Sequence, residues 1–262
     1  MENTEKKVSI ALLSILILFS LLPNTYRMYT GGFSSCVMFH VFDTATDAFV
    51  CGNYYFGVYG THGYNIEKAE SYFERAIARN PNVPDVWHQY ARIAFLRGDF
   101  EEALLRINKQ FSERGDELMA SYYIRGLIYG YNKQYAEAEA DFNTFLKWDP
   151  SNWAANNDLA WIYFVQGKFK EAEAQAERGL KSNAANPWLL VMHAMARYNL
   201  GDSVGVEEEL LRAEKYAANL TGAHWMRAYP GNDPRSAVQG LESFKAVIQK
   251  DLETVRNSTQ ER

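Results

Sequence analysis

At 262 residues, with 47% hydrophobic and 15% aromatic content, the chain has ample material for a buried core, and that composition excludes disorder over most of its length. A formal net charge of −5 argues against a duplex nucleic-acid ligand, whose phosphates need a clustered Lys/Arg surface. The same balance favours basic partners.

The first feature in chain order is an uncharged stretch from Val8 to Tyr26, bounded by Lys6 and Lys7 on one side and by Arg27 on the other. Its most apolar part, Val8–Leu22, is 15 residues, roughly 22 Å of helix. That falls short of the roughly 30 Å hydrocarbon core and suits the apolar region of a signal peptide. The whole 19-residue stretch reaches roughly 28 Å, and the flanking Lys and Arg can snorkel to the interfaces. Pro23, Asn24, Thr25, Tyr26 and Arg27 offer no small-x-small cleavage site. Residues 1–27 are therefore expected to be an uncleaved membrane anchor, with a cleaved signal and a secreted product as the alternative. Lys6 and Lys7 place the amino terminus in the cytoplasm and the remainder of the chain outside it, although Arg27 weighs the other way.

Residues 28–49 are rich in aromatics, Gly, Ser and Thr, with Gly31-Gly32 as a break, and read as a linker or small cap. Cys36 and Cys51 are the only cysteines. An oxidising compartment would permit a disulfide between them; the alternative is two buried thiols acting as small hydrophobes.

Over residues 50–220 a small residue recurs at Gly57, Ala91, Gly126, Ala160 and Ala194, at intervals of 34, 35, 34 and 34. Such a period means a repeat array. Ala69, Ala103, Ala138 and Ala172 run in phase with it, with Phe73, Ile107 and Phe142 four residues after the first three. The two series imply two close-packed helices per repeat. The predicted pairs are Cys51–Thr61 with Ile66–Arg79; a helix opened by Pro84 and turned at Gly98-Asp99 with Phe100–Glu113; Glu117–Asn132 with Tyr135–Trp148; Trp153–Gln166 with Phe169–Ser182; and Pro187–Leu200 with Val204–Leu220. In the last pair Val206 stands where Ala is expected. Residues 221–262 hold a loop and a closing helix, Asp233–Arg256, with Val238, Leu241, Phe244, Ile248 and Leu252 at helical spacing. A solenoid needs such a cap to hide its last apolar face.

The unit Trp87, Tyr90, Ala91, Gly98, Asp99, Phe100 and Ala103 resembles the tetratricopeptide repeat (TPR) family. The resemblance implies an all-α fold, a right-handed solenoid of about five helical hairpins with a C-terminal capping helix, and a function of protein binding rather than catalysis. It also implies a concave, peptide-binding surface on the first helix of each pair. Carried onto this chain, that surface would present Tyr54 and Val58; His88, Arg92 and Phe95; Tyr123, Leu127 and Tyr131; Asn157, Trp161 and Phe164; and Met195 and Tyr198. The family's carboxylate clamp uses Lys and Asn at two successive sites where this chain has His88 and Arg92, which argues against a chaperone-tail receptor. Arg92 and Asn157 remain suited to a backbone or terminal carboxylate, and Tyr131, Trp161 and Phe164 to apolar or stacking contacts. The alternative is that several of these rings only fill space between repeats.

No phosphate-binding glycine loop, His-Glu-x-x-His pair or Gly-x-Ser-x-Gly turn is present, so neither an enzyme, a cofactor nor a metal is expected. Gly57, Gly60 and Gly63 lack the strand that a nucleotide loop requires. His40, His62, His88, His193 and His224 have no ligand spacing, and His193 reads as a satisfied core histidine. Glu101-Glu102 and Glu207–Glu209 open helices, where acids offset the positive dipole end. The Asn219-Leu220-Thr221 and Asn257-Ser258-Thr259 triplets are of the frequency expected by chance. The expected function is a membrane-anchored scaffold presenting its groove to a protein partner in the cell envelope. The alternatives are a glycan-binding or glycan-assembly accessory protein and a structural subunit of an envelope oligomer or filament.

Overall fold

The computed structural model describes Cys36 and residues 44–59, 63–224 and 234–260. The apolar stretch expected to anchor the chain, Val8–Tyr26, lies outside them. Among the described residues no helix is long and apolar enough to cross a membrane.

The period is realised as five helical hairpins: α1 (Ala45–Tyr55) with α2 (Ile66–Arg79), α3 (Val86–Leu96) with α4 (Phe100–Arg114), α5 (Ala120–Tyr131) with α6 (Tyr135–Trp148), α7 (Trp153–Val165) with α8 (Phe169–Ser182), and α9 (Pro187–Asn199) with α10 (Val206–Ala218). A long helix, α11 (Pro234–Gln260), closes the array. Asparagine and aspartate start several helices by accepting a backbone N–H: Asn65 from Lys68, Asp99 from Glu102, Asn152 from Ala155 and Asn186 from Leu189, at 2.8–3.1 Å. Second helices bury one stripe, as α2 does with Ala69, Phe73 and Ala76. First helices are covered on more sides. Helix α7 touches α5, α6, α8 and α9, and buries Ala155, Asn156, Asp158, Leu159, Ala160 and Ile162.

Small residues sit where helices cross. Ala91, Ala160 and Ala194 have no exposed surface, and a Cβ added at Gly126 would lie 3.1 Å from the Phe142 ring. The first hairpin departs from the period. Gly57 does not occupy a crossing; it follows α1 with φ +78°, and Gly52 is the residue whose added Cβ would collide with Phe73. The cause is the connection: residues 56–65 separate α1 from α2, whereas 97–99, 132–134 and 166–168 turn the next three pairs. Counting back 34 residues from Ala91 therefore stops short of the helix.

Helix boundaries shift for local reasons. Helix α1 begins at Ala45, inside the expected linker, because Thr44 Oγ1 accepts from the Asp47 N–H at 3.0 Å. Helix α10 begins at Val206, after Gly205 with φ +72°, and its small buried residues are Ala213 and Ala217. The three short turns place Gly98, Lys133 and Gly167 in the left-handed region, at φ +77°, +61° and +73°.

The apolar core is a series of clusters shared by successive pairs. At its C-terminal end Leu190, Val206 and Leu210 pack with Ile248, Leu252 and Val255 of α11, each full burial stabilising by about 1.5–3 kcal/mol. Leu241 of the same helix is also buried, while Val238 is 54% exposed. At the other end Cys36 and Cys51 are joined by a disulfide, with Cα atoms 4.7 Å apart.

Candidate binding groove

The first helices α3, α5, α7 and α9 present one face each to a common concavity, and α11 closes its C-terminal end. A cavity of about 400 Å³ lies there. Phe95, Tyr131 and Trp161 form one wall, with successive ring centroids 5.4 Å and 5.3 Å apart. Trp153, Trp188 and Phe244 form the other, stacked at 5.7 Å and 5.2 Å with interplanar angles of 21° and 18°. Tyr131 and Val247, both in the lining, are 54% and 47% exposed, so the cavity opens to solvent.

The polar side chains of this lining are Asn157 and Asp158. Helix spacing explains their company, because Trp153, Asn157 and Trp161 recur every four residues along α7. Asn156, one residue earlier, turns away: its Nδ2 donates to the carbonyls of Pro150 and Asn152, and its Oδ1 accepts from Gln175 Nε2 at 2.7 Å. The Asn157 Oδ1 is buried and has no hydrogen-bond donor. Asp158 is 7% exposed; its carboxylate accepts from the Tyr123 hydroxyl at 2.6 Å and from Asn157 Nδ2 at 3.3 Å. Burial pushes its pKa up to about 6, against the two hydrogen bonds, which lower it.

Of the groove residues expected from sequence, Phe95, Leu127, Tyr131, Asn157 and Trp161 come together in the cavity lining. Tyr123 packs on Phe142 and Phe145 and reaches the site through Asp158. The others lie elsewhere. Tyr54 sits edge-on to Tyr55 in the first pair. His88 is 7% exposed, with Nδ1 3.0 Å from Ser121 Oγ and its backbone N–H on Gln110 Oε1; burial drives its pKa down to about 3, so the ring is neutral at physiological pH. The Arg92 guanidinium donates to Gln89 Oε1 at 2.8 Å and lies over the Phe56 ring at 5.0 Å. Burial lowers its pKa to about 10. Phe164 packs edge-on against Phe169, and Tyr198 joins the cluster under α11.

Elsewhere, His193 pairs with Glu209 at 2.9 Å, and Arg197 approaches the same carboxylate at 3.6 Å. Glu209 thus serves a buried pair, in addition to its place in the first turn of α10. Among the described residues no group of His, Cys, Asp and Glu is arranged to hold a metal ion.

Sequence reasoning missed Asp158, the aromatic residues Trp153, Trp188 and Phe244, and the aliphatic residues Leu96, Val191, Met192 and Val247 of the lining. Trp153 and Trp188 stand one repeat apart, a signal that the period already carried. Phe244 and Val247 enter only because α11 folds back.

Residues 64–121 and 131–192 match the family model described as tetratricopeptide repeat. Over those two spans the hairpins match tetratricopeptide repeats. Solved TPR-containing structures share this fold at low sequence identity. The protein PilW matches with a TM-score of 0.59 at 18% identity, covering 80% of this chain and 97% of its own. MamA matches at 0.57 and 13%, covering 68% and 97%, and YrrB at 0.57 and 12%, covering 72% and 94%. Comparison with curated proteins by sequence finds no match. The hairpin array accounts for the concave face, and the wall built by α11 is what closes it into a cavity.

Proposed function

We propose that this chain is a membrane-anchored TPR scaffold of the cell envelope that captures a protein partner by an extended segment laid along the concave face. The observation that carries this reading is the open cavity of about 400 Å³, whose size lies in the range of ligand sites. Its aromatic walls flank Asp158, a buried carboxylate without a cationic partner among the described residues, and Asn157 Oδ1, which has no hydrogen-bond donor. YrrB is described as a TPR protein with an unusual peptide-binding site, and PilW as a widely conserved type IV pilus biogenesis factor; both likenesses favour a binding role. The uncharged stretch Val8–Tyr26 and the Cys36–Cys51 bond favour tethering and an oxidising compartment.

Full-length protein solubilised from membranes, compared with Trp161→Ala, tests the reading. The wild type is expected to co-purify with a defined protein that Trp161→Ala loses while keeping its helical circular dichroism. Equal capture by both removes the cavity from consideration, and recovery of the chain in the soluble fraction removes the anchor.

A further inference from the structure

We infer that the cavity receives one basic side chain, lysine-like or arginine-like, from the partner segment, its aliphatic stem between the aromatic walls and its N–H groups on Asp158 and Asn157 Oδ1. The inference rests on the peptide-groove reading above and deepens it.

Three observations converge on a cation. Asp158 is 7% exposed, yet no Lys, Arg or His among the described residues forms an ion pair with it. Its partners are the neutral Tyr123 hydroxyl and the Asn157 amide. A carboxylate withdrawn from water without a cation is costly, which is why burial moves its pKa to about 6. The second observation is the orphan Asn157 Oδ1, an acceptor in the same lining without a donor, in a class of atoms that are otherwise almost always satisfied. Both open positions call for N–H groups, and an acidic or phosphorylated ligand would meet only repulsion.

The third is the walls. Faces of Trp, Tyr and Phe attract ammonium and guanidinium groups through the ring quadrupole, and they accept the methylene stem that such side chains carry. A neutral apolar side chain would fill the walls and leave Asp158 without a counter-charge and Asn157 Oδ1 without a donor. The volume of about 400 Å³ holds a long side chain with an apolar neighbour, and a chain of net charge −5 draws a basic segment rather than an acidic one.

The test is selection of a displayed random octapeptide library on full-length protein, wild type and Asp158→Asn in parallel. Asparagine keeps the shape of the side chain and an acceptor for Tyr123, and melting curves report its folding. Peptides enriched on the wild type are expected to share a Lys or Arg at one position beside apolar residues. Replacing that residue by uncharged norleucine should weaken binding to the wild type by about tenfold or more, and to Asp158→Asn by less than about twofold. If the variant does not fold, the norleucine exchange on the wild type decides alone. Enriched peptides without a conserved basic residue, or a norleucine exchange without effect, overturn the inference and leave the peptide groove standing. No enrichment, enrichment that survives Trp161→Ala, or binding to a glycan array in place of peptides overturns both.

Discussion

Asp158 and His88 are buried ionisable side chains whose effects on stability run in opposite directions with pH. The carboxyl of Asp158 has its pKa raised from 3.8 to about 6, so the folded state holds a proton that the unfolded state releases. The stability this contributes is full below pH 4 and lost as pH rises through about 6. The imidazole of His88 has its pKa lowered from 6.5 to about 3, so its contribution is full above 6.5 and lost as pH falls towards 3. Between about pH 4 and 6 the two slopes oppose each other. Asp158→Asn is therefore expected to stabilise at pH 7 by on the order of 3 kcal/mol, with the difference from wild type vanishing near pH 4. His88→Gln should instead gain on the wild type as the solution is acidified. Melting temperatures across that range check both, and a constant offset between Asp158→Asn and wild type would refute an uncompensated carboxyl. A second residue carries a local cost. Lys133 sits at φ +61° where the neighbouring repeats have Gly98 and Gly167, and a side chain in the left-handed region costs about 1–2 kcal/mol. Lys133→Gly, after subtraction of the added freedom of the unfolded chain, should raise stability by about 0.5–1 kcal/mol in urea titrations with an unchanged slope.

Helix crossings test the register of whole elements. Phe73 is fully buried, held between Phe49 and Phe56 at ring distances of 5.9 Å and 6.0 Å, so its ring has no room to yield to a Cβ at Gly52 of α1. Gly52→Ala gains about 1 kcal/mol of helix propensity and still should destabilise by a net of about 1–3 kcal/mol, because overpacking forces backbone shifts. Gly126→Ala, whose Cβ would meet the Phe142 ring at 3.1 Å, is expected to be close to neutral by comparison. Equal effects in thermal melts would mean that α1 and α2 cross elsewhere. These two glycines also mark what the sequence discloses. Ala91, Gly126, Ala160 and Ala194 were legible because each is separated from the next by one of the three-residue hairpin turns, so that a fixed period maps onto a fixed crossing. Gly57 misled because the residues between α1 and α2 break the count, and a periodic glycine reads the same in a crossing as in a left-handed turn. Helix α11 was legible from Leu241, Ile248 and Leu252, whose spacing demands an apolar partner. The second wall of the cavity was not, since it depends on which face of α9 meets Phe244, and amphipathicity alone does not choose among partners. Nor did the pattern separate Asn156 from Asn157: adjacent and identical, they differ only in that one points at Gln175 and the other at the cavity.

Across the whole molecule the two ends of the array are closed by different means. Helix α11 covers the last hairpin with apolar side chains, whereas α1 is held by the Thr44 cap and by the bond from Cys51 to Cys36. A chain shortened to begin at Asp47 loses both. The cap is worth about 1 kcal/mol, and closure of a loop with a sequence separation of 15 about 3 kcal/mol in the chain-entropy model. The shortened chain should keep its helical signal, since the buried members of the described apolar clusters all lie at Ala48 or beyond, but melt at a lower temperature than one beginning at residue 34. Adding reductant should lower the melting temperature of the longer chain and leave that of the shorter unchanged. The same bond tests topology. Thiols survive reduced in a cytosol and oxidise in an envelope or extracellular compartment, and the positive-inside reading of Lys6 and Lys7 puts the repeats on the oxidising side. Full-length protein isolated from membranes without reductant, unfolded and treated with an alkylating reagent, is therefore expected to show no mass increase until it is reduced. Two alkylated cysteines before reduction would refute the bond in the living cell and, with it, the proposed placement of the hairpin array outside the cytoplasm.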